Sequence, residues 1–263
     1  MPKRVRSRSA EYSALWAEPP QRRPSVTREQ VVREALALLD EVGFDGLTMR
    51  RLAERLGVQA ASLYNHVRDK HELLALLADA ICGEVAEITL GARVSRQEWR
   101  HKLEEGARDF RRVLLAHRDA ARVLVATPPV GPQRIRSIEQ WLALLRAGGL
   151  SDRDVADVAS VVNTFVTGFV LDETLALPRD DMPDVSAEDM RAQVKGWFQS
   201  LPSERYPMIV ALTDDLVDAD NDRRFELALQ LLLDGLERRV AQTPNNRRVS
   251  LRVHARQRDQ PRE

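Results

Sequence analysis

A single cysteine, Cys82, stands among 263 residues. One thiol closes no internal disulfide, and a chain without disulfides suits a reducing compartment, so the expected location is cytoplasmic. No apolar run approaches the roughly 20 residues of a membrane-spanning helix, and no membrane partner is expected. The basic N-terminus has no apolar core behind it and does not read as a signal peptide. Glycine-rich phosphate loops and serine-centred elbows are missing. Of the histidines (His66, His71, His101, His117 and His254) the first two lie five apart, not the three or four that sets two ligands on one helical face. Cys82 has no evident histidine partner. Neither catalysis nor a bound metal or cofactor is expected. Net charge is absent too, since 40 Lys+Arg cancel 40 Asp+Glu. The distribution is uneven. Residues 1–24 carry +4, residues 237–263 carry +5 and residues 25–70 balance at seven and seven, leaving −9 for residues 71–236. Basic ends, a neutral head and an acidic body suit a molecule that brings one end to phosphate, although two solvated tails give the same numbers.

What is present centres on Leu47 to Lys70, LTMRRLAERLGVQAASLYNHVRDK. Thr48 suits the cap of a short helix. Leu52, Ala53 and Leu56 face inward at helical spacing, and Gly57 supplies a turn that a residue without Cβ takes cheaply. Val58, Leu63 and Val67 are the inward positions of the next segment. Between them lie Gln59, Ala60, Ala61, Ser62, Tyr64, Asn65 and His66, a face of amides, hydroxyls and small residues. A solvated helix face carries Glu and Lys; a face that approaches base edges carries groups of this kind. The pattern is that of a helix-turn-helix, with an ordinary helical hairpin as the plainer alternative. Gln59 suits adenine, Ala60 and Ala61 suit thymine methyls, and Ser62 and Asn65 suit a base or a phosphate.

The rest of the chain reads as helix throughout. Residues 1–24 form a basic N-terminal arm expected to be disordered, either passive or reaching the DNA backbone or minor groove. Thr27 and Gln30 fit a capping box opening a helix to Gly43. Asp69 and Glu72 suggest a second box before a long helix from Lys70 to about Leu90. That helix is apolar around too much of its circumference for a surface position, and so should link head to body. Further helices are expected over Glu98–His117, Asp119–Val125, Ile135–Ala147, Asp152–Leu177, Ser186–Leu201 (weaker), Arg205–Val217 and Asp222–Val240. Pro178 to Pro183 reads as a loop. The surplus apolar face of the last helix asks for a partner chain. The expected architecture is all-α: a helix-turn-helix head over 25–72, a helical effector-binding and dimerisation body over 73–241, and an Arg-rich disordered tail over 242–263.

These residues resemble the TetR family of bacterial transcriptional repressors, through EALALLDEVGFDGLTMRRLAERLGVQAASLYNHVRDKHELL (Glu34 to Leu74). RDFRRVLLAHRDAARV (Arg108 to Val123) and FVTGFVLDE (Phe165 to Glu173) resemble the tetracycline-repressor branch. The resemblance implies a homodimer through helices 152–177 and 222–240, an operator DNA partner, and release by a small-molecule effector. It implies Arg50 as a base-reading residue and Thr48, Tyr64, His66 and Lys70 as phosphate contacts. It places Phe110, Leu124, Thr127, Trp141, Thr164, Phe165 and Asp172 at or beside effector positions. In that branch a drug-bound magnesium ion is held by a histidine and a carboxylate, and two amides hold the drug. Here Leu124 replaces the histidine, Gly106 and Trp141 replace the amides, and Thr127 and Asp172 survive, the latter as a shorter acid. A hard cation needs oxygen or imidazole ligands. The implied effector is therefore different and more apolar. A ligand-independent DNA-binding regulator, or an activator, stays open as the alternative.

Overall fold

The computed structural model describes residues 26–89, 95–175, 186–218 and 220–242. The N-terminal arm, the tail beyond Gln242, the loop at 178–183 and the expected helix end at Leu90 lie outside them. Every regular element among the described residues is a helix, as expected: α1 (Arg28–Gly46), α2 (Met49–Leu56), α3 (Ala60–Leu63), α4 (Lys70–Thr89), α5 (Trp99–Ala116), α6 (Ala120–Val125), α7 (Pro132–Ala147), α8 (Asp152–Leu175), α9 (Ala187–Gln199), α10 (Pro207–Ala211), α11 (Thr213–Val217) and α12 (Asn221–Gln242).

Local chemistry explains most ends. Thr27 and Gln30 exchange side-chain and backbone hydrogen bonds, so two orphan amides at the start of α1 are satisfied. Gly43 does not end α1. It takes φ 69° and ψ 179°, a kink after which the chain turns helically once more to Gly46. The Thr48 hydroxyl accepts the Arg51 amide at 3.2 Å. Gly57, at φ 65° and ψ 28°, closes α2 in the left-handed conformation. At α4 the expected box is altered: Asp69 accepts the Glu72 amide at 2.8 Å, but the Glu72 carboxylate reaches past Asp69 to the Arg68 amide at 2.8 Å. α7 starts three residues earlier than Ile135, with Pro132 in its first turn, where a fixed φ and a missing N–H cost nothing. The span expected as one helix over Arg205–Val217 is two short helices, α10 and α11.

The core is one contiguous cluster from Val31 in α1 to Leu236 in α12. Its spine is α4, where Leu73, Leu74, Leu77, Ile81 and Val85 are buried. Each such leucine or isoleucine contributes about 1.5–3 kcal/mol when fully covered. The boundary expected between residues 72 and 73 therefore falls inside a continuous helix. Polar bolts add to the junction. Arg122 of α6 pairs with Asp45 at 3.0 and 3.2 Å and lies 4.5 Å from the Phe44 ring centre, and the Arg118 amide donates to Asp40 at 2.9 Å.

At the far end, Phe165 and Phe169 of α8 meet Phe225 of α12, with ring centres 5.2 Å apart in both pairs. Arg111 of α5 sits 4.9 Å over Phe225 and pairs with Glu173 and Asp222 at 2.8 and 2.7 Å. One expectation needs correction here. Asp152–Thr174 is long and apolar enough to cross a membrane by length and composition, with mean hydropathy 1.4 over its most apolar window, although only 33% of that window is buried in the single chain. Asp, Thr and Asn break the apolar residues into short runs, and yet the average over the stretch stays apolar.

Candidate functional site

Two places gather the expected site residues. The first is the outer face of α2 and α3. Thr48, Arg50, Gln59, Ala60, Ala61, Ser62, Tyr64 and Asn65 are exposed on it, and His66 and Lys70 are half-buried at its edge. Leu63 and Val67 are buried beneath, so the short α3 is fastened by its underside and presents the other. Its end tightens through amides of Asn65 and His66 bonded to the carbonyls of Ser62 and Leu63 at 3.3 and 2.9 Å. Among the described residues, no hydrogen bond engages the side chains of Gln59, Ser62, Tyr64, Asn65 or His66. Their donors and acceptors are uncommitted, as groups that read base edges must be.

Two basic residues at this face are less free. Arg50 is 86% exposed yet pairs with Glu54 at 3.1 Å. Exposed pairs of this kind hold weakly and exchange readily for a phosphate or a guanine edge. Lys70 is turned inward: Nζ donates to the Phe44 carbonyl at 2.9 Å and lies 5.1 Å from the Phe44 ring centre. Its ammonium has three protons, so the others remain for a phosphate.

The second place is a cavity of about 500 Å³ enclosed by α4, α5, the end of α6, α7 and α8. Of the seven expected effector residues, Phe110, Leu124 and Trp141 line it. The other four do not. Thr127 is buried behind the wall, its hydroxyl donating to the Val123 carbonyl at 2.8 Å and accepting from Arg134 at 2.9 Å. Phe165 is spent on Phe225, where stacking at 5.2 Å joins α8 to α12. Thr164 and Asp172 point off the exposed side of α8. Residues that α8 does contribute, Ala156, Ala159, Ser160, Val162 and Asn163, sit nearer its N-terminus. The cavity therefore meets α8 at other positions than Thr164, Phe165 and Asp172.

Sequence reasoning missed Arg134, Ser137 and Ile138. Starting α7 at Ile135 left Arg134 in a loop. With α7 beginning at Pro132, Arg134, Ser137, Ile138 and Trp141 fall at i, i+3, i+4 and i+7, one helical face, and all four line the cavity. Cys82 lines it from α4, and burial pushes its thiol up to about 11. Among the described residues the lining contains no Asp, Glu, His or Lys.

Residues 31–77 match the family described as bacterial regulatory proteins, tetR family, and residues 94–240 match the tetracyclin repressor-like C-terminal domain. The class A tetracycline repressor of transposon 1721 from Escherichia coli is 36% identical over 209 residues, covering 80% of this chain and 89% of that one. The transcriptional repressor DrrR1 of Streptomyces coeruleorubidus is 34% identical over 226 residues, covering 84% and 80%. Among solved structures, the Streptomyces coelicolor protein ActR in complex with actinorhodin superposes with a TM-score of 0.70 at 35% identity, covering 80% of this chain and 96% of that one.

Proposed function

Because the chain belongs to the tetR family of bacterial regulatory proteins, we propose that it is a ligand-responsive transcriptional repressor. Its homodimer holds a palindromic operator with two α2–α3 heads and lets go when a small, largely apolar effector fills the α4–α8 cavity. It is a regulator and not an enzyme. The observation that carries the reading is α4. Lys70 at its start is bound to the Phe44 carbonyl in the head, and Cys82, about three turns on, lines the cavity. A ligand that prefers one tilt of this helix shifts the heads, and about 1–3 kcal/mol of preference is enough for regulation.

The roles follow from chemistry at each position. Arg50 and Gln59 read bases; Ala60 and Ala61 meet thymine methyls; Thr48, Tyr64, His66 and Lys70 set register on phosphates; Ser62 and Asn65 do either. Dimerisation through α8 and α12 is favoured by what one chain leaves uncovered: Val161 is 49% exposed, Leu227 57% and Leu231 66%. Relatives bear the names of tetracycline repressors. A drug–magnesium complex is not the effector favoured here, since among the described residues the cavity lining offers no carboxylate or imidazole to a hard cation. Phe110 and Trp141 favour a flat, apolar molecule.

The test is binding of the full-length protein to DNA from its own promoter region at two salt concentrations, beside an Arg50→Ala/Tyr64→Ala variant. Tight binding to a palindrome, lost in the variant, supports the reading. Weak binding that salt erases and the substitutions do not touch would mean that only the basic ends meet DNA.

A further inference from the structure

Among the described residues, Arg134 is the one charged residue that lines the cavity. Its guanidinium has five N–H donors. Nη1 donates to the Thr127 carbonyl at 3.2 Å, to the Thr127 hydroxyl at 2.9 Å and to the Pro128 carbonyl at 3.3 Å, and Nη2 donates to the Leu124 carbonyl at 2.9 Å. Nε–H and one Nη2–H are left without an acceptor among the described residues, and no carboxylate there pairs with the charge. The nearby acid, Asp79, is turned to the backbone, where it accepts the Arg134 amide at 2.8 Å. A part-buried cation is thus fixed rigidly by neutral carbonyls and keeps two donors on adjacent nitrogens. A part-buried charge without a counter-ion is costly, and a carboxylate matches this donor spacing with two oxygens.

We propose that the effector is a flat aromatic molecule bearing a carboxylate or an equivalent anionic oxygen pair, and that Arg134 anchors it while Phe110 and Trp141 hold its apolar body. The assignment rests on the cavity being the effector site. Thr127 is a positioning residue in it: its hydroxyl sits between the Val123 carbonyl and Arg134 Nη1 and fixes the guanidinium plane. This accounts for a threonine kept behind the wall instead of in it. Ser137, Ser160 and Asn163 add neutral polar contacts around the same space. Among the described residues no acid in the lining opposes an anion.

The experiment is calorimetric titration of the full-length protein with anthracene-2-carboxylate and with anthracene-2-carboxamide, two probes that differ only in their head group. Wild type should bind the carboxylate about tenfold tighter or more, the effect of a charge-assisted pair. Arg134→Met should erase that preference, and Arg134→Lys should restore part of it. Arg134 also closes the end of α6, so some loss of melting temperature is expected, and retained carboxamide binding with a single cooperative melting transition shows that the variants are folded. Equal affinity for both probes in wild type, or a preference that survives Arg134→Met, overturns the proposal and leaves Arg134 as a staple for α6. If neither probe binds at millimolar concentration, the proposal also falls. Operator binding in the same preparations separates the two levels: DNA bound without the acid sinks only the ligand class, whereas no DNA bound sinks the repressor reading beneath it.

Discussion

The carboxylate of Asp119 accepts the amide proton of Phe44 at 2.7 Å, across 75 residues of chain. Asp119 itself stands at φ 59°, the left-handed region, just before α6. The contact joins the kinked last turn of the head's first helix to the short helix that ends at the cavity.

Asp119→Ala should therefore be costly twice. It leaves a part-buried N–H unpaired, worth about 1–3 kcal/mol, and asks alanine to hold a conformation that Asp and Asn tolerate far better. Asp119→Asn keeps an acceptor and the turn, and should lose much less. Denaturant unfolding with hydrogen exchange at the Phe44 amide measures both. Equal losses in the two variants would mean that charge, not geometry, holds the junction.

That junction shows what sequence alone could and could not give. The α2–α3 head was legible because each signal is local: Thr48 caps, Gly57 turns, and Leu52, Leu63 and Val67 recur at helical spacing. The helices of the body were legible for the same reason. The Asp119–Phe44 bond depends on how two distant segments pack, which no local pattern encodes. The lining of the cavity was only partly legible for a related reason. Phe165 and Thr164 read as well as Ala159 and Ser160 on the same helix, and only packing against α12 decides which turn faces the space. Arg134 was lost by a three-residue error in one helix start.

At the DNA face, Arg50→Ala should cost about 1–3 kcal/mol at a single base position and relax specificity there. Lys70→Ala should weaken binding to all sequences alike, and should also lower stability, because the Phe44 carbonyl loses its donor. Affinity measured on a panel of operator variants separates the two. Uniform losses in both would dissolve the division between reading and positioning.

Cys82 offers a probe of the cavity. Burial raises its thiol from the ordinary 9.0 to about 11. At pH 8 the thiolate fraction is then roughly one in a thousand, so alkylation by iodoacetamide should be slow and should slow further when the cavity is filled. The raised value also makes a stability slope. The unfolded thiol ionises near its ordinary value and the folded one does not, so this contribution is full below pH 9.0 and is lost as pH rises through about 11. Denaturation measured across that window should show a decline that Cys82→Ala flattens. Rapid alkylation at pH 8 would mean that the thiol is open to solvent and not in the wall.

The apolar face of α12 gives the last prediction. Leu227 and Leu231 are 57% and 66% exposed and one helical turn apart, and Phe225, Leu229 and Leu233 on the opposite side already fill the chain's own core. A helix apolar on both sides leaves one side for another chain. Leu231→Glu should keep the fold, since its side chain touches little of its own subunit, and should convert a dimer into a 29.8 kDa monomer in sedimentation. Operator affinity should fall with it, by about a hundredfold or more, because the second head no longer binds as an attached partner of the first. A variant that stays dimeric would move the interface elsewhere. The next surface to test would then be α9 and α10, where Trp197 is 62% exposed and Met208 65%.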